Sequence, residues 1–171
     1  MAKYFVTYFL ILFFITQSKA NIVEEYKVKA SWVKVISEYI IWHKDVKKYN
    51  ICSLGLDLVG LHLRGLKSDN IIVTEKSRQD DFSDCHLLYI SISEERHILD
   101  IIKKIDKYNI VTISDIDNFS KLGGTIEFIF DRDLIRLRIN GHNLSNLERE
   151  TLYLDSYIVD LSEIIYPQKD W

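Results

Sequence analysis

The stretch Cys85–Ile92 (CHLLYISI) constrains the fold most. It is a near-continuous apolar run, the pattern of a strand whose sheet is covered on both faces. An amphipathic helix is predicted directly after it, over Glu94–Tyr108. Ile98, Ile101, Ile102 and Ile105 form its stripe, with Glu94 and Glu95 at the positive end and Lys103, Lys104 and Lys107 at the negative end. Asn109–Ser114 (NIVTIS) then reads as another strand. The same rhythm precedes this unit: a strand at Asn50–Leu54, a short helix over about 57–65, a strand at Asn70–Thr74 and a polar loop over 75–84. Repeated β-α-β units imply an α/β fold, with a mainly parallel sheet and helices on both faces.

The last third changes character. Ile126, Phe128 and Phe130 alternate on one face of Thr125–Phe130, and Ile135, Leu137 and Ile139 alternate likewise. With a four-residue loop, Asp131–Leu134, the two runs form an antiparallel hairpin that sets Phe128 opposite Leu137 and Glu127 opposite Arg138. Two short helical patterns follow, around Leu144–Leu147 and Ser156–Ile164. At the other end, residues 22–43 read as a helix. Val28, Trp32, Val35, Ile36, Tyr39 and Trp42 fall together, and Val33 and Ile40 widen the stripe to about half the circumference, more than a surface helix needs. A deeply embedded helix accounts for this. So does a core face plus a homodimer or partner contact centred on Val33 and Ile40.

Residues 1–20 stand apart. Lys3 precedes the apolar run Tyr4–Ile15, and Ser18 and Ala20 are the small residues a signal peptidase reads. A signal peptide cleaved after Ala20 is predicted, leaving one domain over 21–171. An uncleaved anchor is the competing reading, although the run is short for a membrane span of about 20 residues. No later segment is long and apolar enough to span. The expectation is an exported, periplasmic protein with no membrane insertion after cleavage. Loss of Lys3 and Lys19 with the segment takes 22 basic against 25 acidic residues to 20 against 25, a net charge of -5. That sign argues against a nucleic-acid binder resting on a basic face. A hydrophobic share of 47% excludes general disorder.

Export governs the reading of Cys52 and Cys85, the two cysteines of the chain. Oxidising compartments pair cysteines. In a doubly wound strand order 2-1-3 their strands are neighbours, close enough for a disulfide. Two separate buried thiols are the competing reading. No metal site is expected, because His86 beside Cys85 has no second close ligand pair. Gly55-Leu56-Asp57-Leu58-Val59-Gly60 sits where dinucleotide folds place phosphate loops, but Asp57 is better read as a helix N-cap. The acidic run Asp80, Asp81 and Asp84 fits no standard cation loop and reads as a solvated turn. His43, His62, His86, His97 and His142 are scattered, and no nucleophile–base pattern accompanies them. Ser114-Asp115, at the end of a parallel strand, marks a possible ligand cleft with Gly123-Gly124, or a capped turn. A Gly pair before a strand supplies positive φ or a close backbone approach. No cofactor and no enzymatic activity are expected.

Several phrases converge on a family. Ile51-Cys52 with Leu54-Gly55, Asp57, Gly60 and Leu63; Cys85 to Ser91; Thr112-Ile113-Ser114-Asp115 with Phe119, Gly123-Gly124 and Ile126; and Arg138-Ile139-Asn140 follow in order. Together they resemble the YfiR-like family of exported bacterial proteins over about residues 27–162. The first helix, ending Ile41-Trp42, resembles the family's opening helix. His43 stands where the family usually has Pro, and the second cysteine pair of some members is absent. The resemblance implies a non-enzymatic periplasmic regulator. Such a protein represses a membrane-bound diguanylate cyclase, or a related sensor, by binding its periplasmic part, which lowers cyclic di-GMP and biofilm output. The alternative is a periplasmic small-molecule sensor or solute-binding domain using the Ser114–Gly124 cleft.

Overall fold

The computed structural model describes residues 25–42, 46–66, 68–131, 134–150 and 152–168. The predicted export segment 1–20 and His43 lie outside the described residues. The chain forms α1 (25–38), β1 (Ile40–Trp42), β2 (Tyr49–Leu54), α2 (Leu58–Gly65), β3 (Ile71–Lys76) and β4 (Leu87–Ile90). A 3-10 segment (Ile92–His97) leads into α3 (Ile98–Ile105), then β5 (Val111–Ser114), β6 (Ile126–Asp131) and β7 (Leu134–Asn140). The rest is α4 (Gly141–Glu150), β8 (Leu152–Leu154), α5 (Ser156–Asp160) and β9 (Ser162–Ile165).

A seven-stranded sheet in the order β3-β2-β4-β5-β6-β7-β9 forms the centre. Its pairs are parallel except β6–β7, so the α/β class and the hairpin stand as the sequence implies. Within the hairpin Phe128 pairs with Leu137 and Glu127 with Arg138, the predicted register, but the ladder continues to Asp131 opposite Leu134, so the strands take up both ends of the expected four-residue loop. Alternate residues feed two separate apolar cores. Ile51, Leu87, Tyr89, Ile113, Ile126 and Leu137 face one, with side chains of α1, α2, α4 and α5. Cys52, Leu54, Leu88 and Ile90 face the other, with Ile98, Ile101 and Ile105 of α3.

Two segments differ from their periodicity. The first helix ends at residue 38, and Ile40–Trp42 forms a ribbon with β8, Ile41 opposite Tyr153. Residues 40–42 are β-branched or aromatic and suit a strand; an apolar run at helical spacing does not decide between the two. Likewise Ser156–Ile164, read as one helix, is a single turn followed by edge strand β9, which lies parallel to β7.

The contact surface expected at Val33 and Ile40 is corrected. Val33 is 0% and Ile40 3% exposed, both inside the first core beside Leu152, Leu154 and Ile158. The wide stripe is therefore consumed within one chain. Val28 and Tyr39, placed on the stripe, are each 40% exposed instead, because the buried face is centred on Val33.

Candidate functional site

The second face of the sheet changes chemistry across its width. Under α3 it carries Cys52, Leu54, Leu88 and Ile90. Further across it carries Thr112 and Ser114 of β5, Glu127 of β6, and Arg136 and Arg138 of β7. Apolar residues recruit α3, whereas the polar half floors an open groove of about 820 Å³. Asp115, Asp117, Glu127, Arg136, Arg138 and Glu163 are among its lining residues.

Glu127 organises the floor. It is 3% exposed, yet fully supplied with donors. Asn118 N (3.1 Å) and Arg138 Nη1 (3.2 Å) donate to Oε1; Ser120 N (3.1 Å) and Ser120 Oγ (2.5 Å) donate to Oε2. Arg138 Nε also donates to Glu163 at 2.9 Å, so β6, β7 and β9 are tied by one guanidinium. A buried carboxylate is tolerated only with such compensation.

A second polar centre lies at the carboxyl edge of β4 and β5. Tyr89 donates its hydroxyl to Asp57 Oδ2 at 2.7 Å and lies 3.4 Å from Asp115 Oδ1. Burial, then the charges of Asp115 and Asp57, push the Tyr89 phenol up. Asp57 Oδ1 accepts from Gly60 N at 2.7 Å, the N-cap expected of it. Lys29 of α1 completes the centre, 2.5 Å from Asp115 Oδ2 and 2.8 Å from Glu25 Oε1.

Of the four residues assigned to a cleft, only Asp115 lines the groove. Ser114 is buried and occupied structurally, donating to Ile90 O (2.7 Å) and accepting from Ile116 N (3.1 Å). Gly123 has φ 107°, and a Cβ on Gly124 would stand 2.1 Å from the Phe119 ring, so this pair meets both backbone demands. Their carbonyls accept from Asn143 Nδ2. The corrected cleft runs toward β7 and β9. Sequence reasoning missed Lys29 and Tyr89. The available signal was a lysine at helical spacing with Val33, Ile36 and Ile40.

The other candidates are structural. Cys52 and Cys85 form a disulfide with Cα atoms 5.7 Å apart. They are not ladder partners: Cys52 pairs with Leu88, and Cys85 lies in the turn before β4, packed on the same core. Asp84 is beside them, but the disulfide leaves no thiolate to hold a metal. In the acidic loop, Lys104 Nζ donates to Arg78 O and Asp80 O, and Lys76 pairs with Asp84 at 2.7 Å, so the protein's own ammoniums take the place of a cation. Asp81 accepts from Ser83 and Tyr108, which hold its carboxyl down to about 2. His86 Nδ1 accepts from Asn50 N at 3.1 Å, and its ring meets Trp42 edge-on. None of these described groups pairs a nucleophile with a base.

The model of the family described as YfiR/HmsC-like matches residues 26–163. This chain belongs to the YfiR/HmsC-like family. That is a regulatory, non-catalytic family of the periplasm, whose members interact with membrane proteins there. No curated protein matches the chain. No helix among the described residues is long and apolar enough to cross a membrane. In this YfiR/HmsC-like chain the ribbon β1–β8 and the residues flanking it present exposed apolar and aromatic side chains. Ile41, Tyr153 and Tyr157 are 58%, 55% and 55% exposed, and Tyr39 stacks on Tyr157 with centroids 5.6 Å apart.

Proposed function

We propose that the protein is exported by its cleaved 1–20 segment and represses a membrane-bound diguanylate cyclase, or a related sensor, by contact with that partner's periplasmic part. The observation that carries the reading is the exposed pair Ile41 and Tyr153, opposite each other on the β1–β8 ribbon, with the exposed stacked pair Tyr39 and Tyr157 flanking it in sequence. Tyrosine-rich, rigid, apolar surface is what contact hot spots are made of. A homodimer is proposed through the same ribbon, in place of the buried Val33 and Ile40. The test is capture from detergent-solubilised membranes by the mature protein and by Ile41→Glu/Tyr153→Glu. Both proteins should melt alike, and the variant should lose the membrane partner. Equal capture by the variant rejects this surface.

A second reading, a small-molecule sensor, is favoured by the open groove with its mixed carboxylate and guanidinium lining. Arg138→Ala separates the two. It should disturb groove binding, while capture through the ribbon persists.

A further inference from the structure

Lys29 is the most unusual side chain of the described residues. It is 3% exposed, on a helix face otherwise given to Ala30, Val33 and Ile36. Its ammonium has four neighbours of the kinds that recognise a cation. Asp115 Oδ2 and Glu25 Oε1 stand at 2.5 and 2.8 Å, and the Phe130 and Tyr26 rings at 4.7 and 5.7 Å from their centroids. Carboxylates and aromatic faces together form the usual cage for an alkylammonium. Asp115, in the loop after β5, and Phe130 of β6 supply one half of the cage, and Glu25 and Tyr26 of α1 the other, so the cage is complete only with α1 lying across the carboxyl edge of the sheet. Ligands of α/β sheets bind at that edge.

We propose that this cage is a primary-alkylammonium site which the protein fills with its own lysine, making α1 a strap across the carboxyl edge of the sheet. The tether gives Lys29 a high effective concentration over any free amine. Burial opposes its charge, but Asp115 and Glu25 outweigh that and raise its pKa above the ordinary lysine value, so the occupant stays an ammonium. With α1 in place and the Lys29 side chain cut back to Cβ, Asp115 and Glu25 lose their cation and the space vacated is that of a three-carbon amine. The strap leads straight into β1, which carries Ile41, so the site and the proposed contact surface share one continuous segment. The inference stands or falls on the cage alone and does not require the partner reading.

The test is chemical rescue. Lys29→Ala removes the atoms that n-propylammonium replaces. Amide exchange over residues 25–33 should be faster in the variant by about ten-fold or more, since a buried charge has lost its partner. n-Propylammonium chloride should slow it again and raise the melting temperature relative to equal sodium chloride. n-Propanol, with the same stem and no charge, should not, and wild type should respond to neither. Rescue by propanol as strong as by propylammonium, or rescue by neither, overturns the proposal. Should Lys29→Ala fail to fold, Lys29→Met keeps the stem and removes the ammonium. Wild-type exchange over 25–33 in that variant overturns the strap; faster exchange there with an unchanged core supports it.

Discussion

Two glycines show how little of a residue's role is in its identity. A Cβ on Gly124 would lie 2.1 Å from the Phe119 ring, which is fully buried and cannot withdraw. Gly124→Ala should destabilise by roughly 1–3 kcal/mol, the usual cost of overpacking. Gly65, the last residue of α2, has nothing within 4 Å of its Cβ position. Gly65→Ala should stabilise by roughly 0.4–1 kcal/mol, through the unfolded chain. Urea midpoints at unchanged slope measure both. His86 gives a pH dependence. Burial lowers its pKa below the ordinary 6.5, against the opposing charge of Asp84, and its Nδ1 must stay free to accept from Asn50 N. The unfolded chain takes up the proton first as pH falls, so this contribution is complete above pH 6.5 and is lost below it, down to the lowered folded pKa. Denaturation from pH 8 to 5 should show that slope in wild type, and His86→Leu should flatten it.

At the scale of elements, the disulfide is the clearest case. A direct bridge between adjacent strand residues strains the ladder. Here Cys85 instead reaches Cys52 from the turn over the sheet face, and the strand pair keeps its register. The loop-closure gain for a separation of 33 residues should thus be realised nearly in full, at about 3–4 kcal/mol. Cys52→Ala/Cys85→Ala and reduced wild type should both lose that much in urea; a difference under about 1 kcal/mol contradicts the argument. The hairpin was legible because its alternation admits one register: a slip by one residue exposes Phe128 and Leu137 and buries Arg136. β1 and β9 were not legible. Each is a three- or four-residue strand beside a helix, and the apolar spacing there serves either conformation.

The whole molecule decides which surfaces remain for a partner. Val33 lies in a core built from both sides by one chain, so Val33→Glu should unfold the monomer rather than dissolve a dimer. Circular dichroism of the purified variant checks this: a native spectrum with altered solution mass would restore the interface that the burial denies. The sequence by itself determined the α/β class, the parallel units, the hairpin register, the Asp57 cap and the family, because these rest on short-range period, turn chemistry and ordered phrases. It also pointed to the disulfide through compartment and count. Only the tertiary structure decided which side of α1 is buried, that Asp115 rather than Ser114 faces the groove, and that Lys29 meets a carboxylate 86 residues away. Those outcomes depend on which elements finally pack together. A helix wheel carries no information about the neighbour on each side, and a charge in the sequence does not show whether its partner waits across the core or in water.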